Sequence, residues 1–182
     1  MNPLSKRFIK SRMGMQCLSR VILTGVVLLA VILSVVGCSS NSEPSNSEPI
    51  RATWVAVQAD GDTLSISVSE VNNNKLVHFL LGRGPSGDIA FMAYELDGKI
   101  YVRSNVCPPC WSVGFSLQKD ILVCDTCATT FKAKTGDGIK GACVAFPKAS
   151  VPYEIRGDTI IMKRNDLITA YQNTLEPEWP QG

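Results

Sequence analysis

Short runs of alternating apolar and polar residues, divided by turn signals, fill the chain from Thr53 to Lys163. Leu64-Ser65-Ile66-Ser67-Val68 alternates strictly and predicts a half-buried strand, and residues 53–57 predict another. Asn72-Asn73-Asn74 marks a turn before a strand over residues 76–81, and Gly82, Gly84, Pro85 and Gly87 read as a loop. Residues 89–94 and 99–103 flank Asp97-Gly98, the strongest hairpin signal in the chain. Further strands are expected at residues 114–117, 121–123, 129–132 and 159–163, the last after a Gly157-Asp158 turn. One helix is expected, with Asn165 or Asp166 as N-cap, running through Ile168-Thr169-Ala170-Tyr171. No segment between strands has the helical rhythm that βαβ units need. The pattern predicts a mainly β fold: a small β-hairpin domain over residues 51–175 with a short C-terminal helix and a tail at 176–182.

The pattern ahead of this domain is of another kind. Lys6, Arg7, Lys10, Arg12 and Arg20 come without any acid, and residues 21–36 form an uncharged, mostly apolar run. Val35-Val36-Gly37-Cys38 follows. A basic start, a short apolar run and a small residue before the cut describe a secretory signal peptide over residues 1–37. The Cys behind it resembles the bacterial lipobox, which makes Cys38 the lipidated mature N-terminus. The run is shorter than the roughly 20 apolar residues that span a bilayer comfortably. An uncleaved signal anchor is the rival reading, and both put the rest of the chain outside the cytoplasm. Ser40-Asn41-Ser42-Glu43-Pro44 repeats at once as Ser45-Asn46-Ser47-Glu48-Pro49. Such a polar, Pro-punctuated stretch cannot bury a core, so residues 38–50 read as a flexible tether. The expected location is the extracytoplasmic face of a bacterial membrane, held there by lipid on Cys38.

Charge changes this picture little once the leader is removed. The whole chain carries 18 Lys and Arg against 16 Asp and Glu, but five of the basic residues lie in the leader. The remainder is net acidic with its bases scattered, which excludes nucleic-acid binding through a basic patch. Seven Cys against one His is the more telling imbalance. It points to thiol chemistry.

Cys107-Pro108-Pro109-Cys110 is followed after 13 residues by Cys124-Asp125-Thr126-Cys127, and after 15 more by Cys143. Two thiolates at Cys-x-x-Cys spacing on a tight turn can face one metal while turn N–H groups soften the sulfur charge. A hairpin turning at Lys119-Asp120 would bring the two knuckles together. Covalent c-type haem is excluded, because Trp111 and Ala128 stand where His is needed. A Rieske cluster needs two His ligands and His78 is alone. Zinc, an iron–sulfur cluster and disulfides remain open on spacing alone, though five cysteines cannot all pair.

Asn105-Val106-Cys107-Pro108-Pro109-Cys110, Gly114-Phe115, Val123-Cys124-Asp125-Thr126-Cys127, Phe131 and Gly141-Ala142-Cys143 together resemble the membrane iron–sulfur containing, FtrD-like family. His78-Phe79, Phe91, Asp97-Gly98 and Val102-Arg103 look similar as a lead-in, and the likeness covers residues 64–167. The resemblance implies an iron–sulfur cofactor, with zinc as the alternative, held by Cys107, Cys110, Cys124, Cys127 and Cys143. It implies a role as electron carrier or accessory to a membrane metal-transport or redox system, with a membrane iron permease or redox protein as partner. The alternative is a structural, zinc- or disulfide-stapled binding module. The family commonly shows Gly after the second knuckle, where this chain has Ala128, and Gly-Gly-Cys-Asn-Pro where it has Gly141-Ala142-Cys143-Val144-Ala145.

Other residues have plainer readings. His78 is expected as a surface or half-buried polar residue of a strand, and Trp111 as a hydrophobic cap on the small core. Pro108-Pro109 removes two N–H donors from the first knuckle. Asp120 and Asp125 mark turns. No Ser–His–Asp set or phosphate loop can be assembled, so no enzyme is expected.

The leader generates the first prediction. Replacing Cys38 with Ala should release the domain from the membrane or leave an uncleaved precursor on immunoblots of fractionated cells. Mass spectrometry showing wild-type cleavage at any bond other than Gly37–Cys38 would refute it.

Overall fold

The computed structural model describes residues 48–84 and 87–177. The signal peptide, Cys17, Cys38, most of the tether, Pro85 and the end of the tail lie outside the described residues. The chain runs β1 (Ile50–Arg51), β2 (Thr53–Trp54), β3 (Gln58–Asp60), β4 (Thr63–Ser67), α1 (Val68–Asn74), β5 (Leu76–Gly84), β6 (Gly87–Leu96) and β7 (Lys99–Ser104). It continues with β8 (Phe115–Gln118), β9 (Ile121–Cys124), β10 (Thr130–Lys132), β11 (Gly138–Lys140), β12 (Glu154–Arg156), β13 (Thr159–Lys163) and α2 (Arg164–Leu175). The fold is mainly β, as the alternation predicts. No helix among the described residues is long and apolar enough to cross a membrane.

Three sheets form, in the orders β2-β5-β6-β7, β12-β13-β4-β3 and β1-β8-β9-β10-β11. The first is the middle layer, because both of its faces are apolar. Val77, Phe79, Phe91 and Ala93 pack with Leu64, Ile66, Ile160, Met162 and Leu167 of the second sheet and α2. Leu76, Met92 and Tyr94, one residue out of phase, pack with Leu117, Leu122, Phe131 and three cysteines of the third sheet and its loops. A strand covered on both sides loses the half-polar alternation, and 90–94 is buried throughout as Ala-Phe-Met-Ala-Tyr.

Four local expectations are corrected. Asn72-Asn73-Asn74 closes α1 rather than a turn. Ser67 caps that helix, its hydroxyl accepting the Glu70 amide at 3.2 Å, and Lys75 ends it in a left-handed conformation at φ 64°. Ser67-x-x-Glu70 was the visible capping signal. Gly82, Gly84 and Gly87 belong to a long β5–β6 hairpin, with Gly84 opposite Gly87 and a register shift between Leu80 and Gly82. The strand expected over 53–57 is only two residues long, pairing in parallel with Val77 and His78. Finally, α2 begins at Arg164, ahead of the expected caps, and its N-cap Lys163 offers no side-chain bond. At the other hairpin, Asp97 and Gly98 both take positive φ (53° and 74°), as a tight turn between twisted strands requires.

Candidate metal centre

Two chemically similar turns present the first four cysteines. In the first, beyond β7, the amides of Cys110 and Trp111 both bond back to the Cys107 carbonyl at 3.1 and 2.6 Å. In the second, beyond β9, the Ala128 amide bonds back to the Cys124 carbonyl at 2.9 Å. Each turn ends with a left-handed residue, Trp111 at φ 53° and Ala128 at φ 55°. The first is braced by Asn105, whose side-chain amide donates to the Val113 carbonyl at 2.8 Å, and by the Cys107 amide bonding Ser112 O at 2.9 Å. The β8–β9 hairpin, turning at Lys119 with φ 57°, brings the second knuckle beside the first.

The sulfurs converge. Cys107 Sγ lies 3.9 Å from Cys127 Sγ, Cys110 Sγ lies 3.8 Å from Cys124 Sγ, and Cys143 Sγ lies 3.6 Å from Cys127 Sγ. All five cysteines are free thiols, far outside disulfide bonding distance. Four of them, Cys107, Cys110, Cys127 and Cys143, are within 4.8 Å of one another. Four thiolates around one ion, at bonds of about 2.3 Å, define a tetrahedron with edges of about 3.8 Å. The three close pairs have that spacing.

Cys143 reaches the knuckles through a contact that depends on two residues. The Thr129 hydroxyl accepts the Cys143 amide at 3.2 Å and is hydrogen-bonded to Cys127 Sγ at the same distance. Gly141 sits at φ 124°, and a Cβ there would stand 2.5 Å from Thr129 Oγ1. Only glycine lets the loop approach so closely. Thr129, fully buried, is a site residue that sequence reasoning missed; it shows no motif of its own. His78 is not in the sulfur group. It is buried against Trp54, 5.1 Å between centroids, with Nε2 unbonded, rather than on or near the surface. Burial lowers its pKa to about 4, so it stays neutral. Trp111 is 51% exposed and is no core cap.

The two knuckles differ in how they treat sulfur charge. The Cys107 thiol and the turn N–H groups of Cys127 and Thr126 pull Cys124 down to about 4, against its burial. Burial raises Cys127, but the Thr129 hydroxyl and N–H outweigh it and hold the thiol below its usual range. In the first knuckle Pro108 and Pro109 offer no N–H. Cys107 is raised by its bond to Cys124 and by burial, and burial lifts Cys110 to about 11. Negative charge therefore collects on the second knuckle.

The model of the family described as membrane iron-sulfur containing protein FtrD-like matches residues 71–173, more than half of the chain. Among solved structures the chain resembles a complex of reduced oxygenase and oxidized ferredoxin in carbazole 1,9a-dioxygenase. That match has 14% identity and TM-score 0.46, covering 58% of this chain and 95% of that one. It also resembles a ferredoxin of Sphingomonas yanoikuyae B1, at 21% identity and TM-score 0.37, over 41% of this chain and 74% of that one. A third likeness is to the ferredoxin of carbazole 1,9a-dioxygenase from Nocardioides aromaticivorans IC177, at 15% and 0.36, over 64% and 98%. No curated protein matches. The family and the cysteine group support an iron–sulfur cofactor. An all-thiol donor set with pairs spaced to share one metal atom fits it.

Two predictions follow from the turns. A left-handed L-residue costs about 1–2 kcal/mol, part of which glycine returns through its looser unfolded chain. Ala128→Gly should therefore stabilise the protein by about 0.5–1 kcal/mol in urea titrations. Cys110 and Cys127 are both half-exposed. In metal-free, reduced protein, iodoacetamide should label Cys127 ahead of Cys110 near pH 7. Cys110 labelling should still be accelerating at about pH 10, whereas that of Cys127 should level off at a lower pH, because only the thiolate reacts. Peptide mapping reads both rates, and equal rates at neutral pH would refute the charge asymmetry.

Proposed function

Since this chain belongs to the membrane iron–sulfur containing, FtrD-like family, we propose that it is a lipid-anchored extracytoplasmic iron–sulfur protein carrying electrons for a membrane metal-transport or redox system. The observation that carries this reading is the convergence of five free thiols at one end of a β domain, with Cys110 and Cys127 half-exposed there. When bound, the cofactor supplies one-electron transfer. The chain's own residues hold it, keep its inner side dry through Phe115 and Phe131, and leave an outer sulfur edge open to a partner. The role proposed is carriage of electrons rather than catalysis. Lipid on Cys38 would keep the carrier at the membrane, and the Ser/Asn/Glu/Pro tether would give it reach.

A second reading is favoured by one observation. Four sulfurs within 4.8 Å of one another are compact enough for a single tetrahedral ion, zinc in the structural version.

Protein purified without oxygen separates the two. Iron and sulfide by elemental analysis, with visible absorbance that bleaches on reduction, are expected. A colourless protein with one zinc would establish the structural reading instead. In either case the knuckles act as one unit. Cys127 touches both Cys107 and Cys143, so Cys127→Ser should lose nearly all metal, as should Cys107→Ser, and the double variant should be no worse. Half occupancy in each single variant would show two separate sites.

A further inference from the structure

The sulfur-bearing half of the domain buries two cations and no anion. Lys148 is 1% exposed. Its Nζ donates to the Val106 carbonyl at 2.6 Å and lies 4.5 Å from the Phe131 ring centroid and 5.4 Å from that of Phe115. Val106 immediately precedes Cys107, Phe115 lies opposite Cys124 in the β8–β9 register, and both rings share a core with Cys107, Cys124 and Cys143. Arg103, 4% exposed, gives its hydrogen bonds to neutral acceptors alone: Tyr94 Oη and the carbonyls of Ala133, Lys134 and Lys148. Gly136 permits that assembly, since a Cβ there would stand 2.2 Å from Lys148 O. Among the described residues no Asp or Glu is buried, and none of the four ion pairs includes Lys148 or Arg103.

A buried ammonium is costly unless an opposite charge repays it. One carbonyl and two ring faces repay part. The core that holds both rings also holds Cys107, Cys124 and Cys143. Burial lowers its pKa to about 8, and the charges of Cys107, Cys124, Cys143 and Cys110 oppose that fall. Four thiolates on a divalent ion carry two net negative charges, opposite in sign and equal in number to the two buried cations.

We propose that Lys148 is the built-in counter-cation of the thiolate centre, held in place through its own carbonyl by Arg103, and that it selects a centre of net negative charge. The proposal rests on the cysteines holding metal. It implies that the lysine burdens the metal-free protein and stabilises the loaded one, whereas a packing residue would support both.

The test uses the full chain in detergent under reducing conditions, with Zn(II) as the probe, competed against a chromophoric chelator. Lys148→Met keeps the apolar stem and removes the charge. It should bind Zn(II) about tenfold or more weakly than wild type. Its metal-free thermal midpoint should rise, and Lys148→Gln should shift Zn(II) affinity in the same direction. Unchanged Zn(II) affinity overturns the proposal. So does a metal-free Lys148→Met chain that melts below wild type or fails to fold. A wild-type chain that binds no Zn(II) overturns the metal-centre reading and this proposal with it, and is recognised because the wild type fails rather than the variant.

Discussion

Five thiols can crowd within a few ångströms only because three separate stretches of chain are held to tight, specific turns at one end of the sheets. Repulsion between like sulfurs, and the burial of three of them, work against the cluster. The opposing constraint is backbone geometry. Each knuckle curls until the residue after its second cysteine bonds the carbonyl of its first, and that residue takes a left-handed conformation unfavourable to Trp111 and Ala128. The fifth thiol arrives on a loop that Gly141 lets lie directly on Thr129. Strain is thus stored where the chain bends around the sulfurs, in keeping with its usual place at functional sites.

The layer behind the centre supports this arrangement. Tyr94 and Met92 face the cysteine core, while Phe91 and Ala93 of the same strand face the other one. One strand therefore ties the two cores together. The segment carrying Lys148 is fastened to the edge of the same sheet, with Ser104 N bonding Ala149 O and Val151 N bonding Val102 O. Its buried charge is consequently fixed against a rigid element, and its position relative to the knuckles is set by backbone pairing and not by the lysine side chain.

Much of the centre was legible because Cys-x-x-Cys spacing is local and its turn chemistry is short-range. The Asp97-Gly98 hairpin was legible for the same reason. Thr129 and Lys148 were not: neither has a motif, and each acquires its role from partners 14 and 42 positions away. The middle sheet was read only in part, since burial on both faces erases the alternation that marks a half-exposed strand. The three asparagines at 72–74 favour turns intrinsically, and here the Ser67 cap with Val71 buried in the core outweighs that preference. The departure at Ala128 acquires a physical meaning: glycine is the residue suited to that φ, so the chain tolerates a strained alanine.

The back-to-back arrangement of the two cores also bears on the order of assembly. One core, containing α2 and the β12-β13-β4-β3 sheet, includes no cysteine. Its hydrophobic contacts can form with every thiol still protonated. The other core gathers cysteines, two knuckle turns and a long return loop, and draws part of its cohesion from whatever joins the sulfurs. Amide exchange in such a molecule is uneven by construction. The hydrophobic contacts of the cysteine-free side do not depend on the sulfurs, so its amides should stay protected under conditions that expose those of the sulfur side.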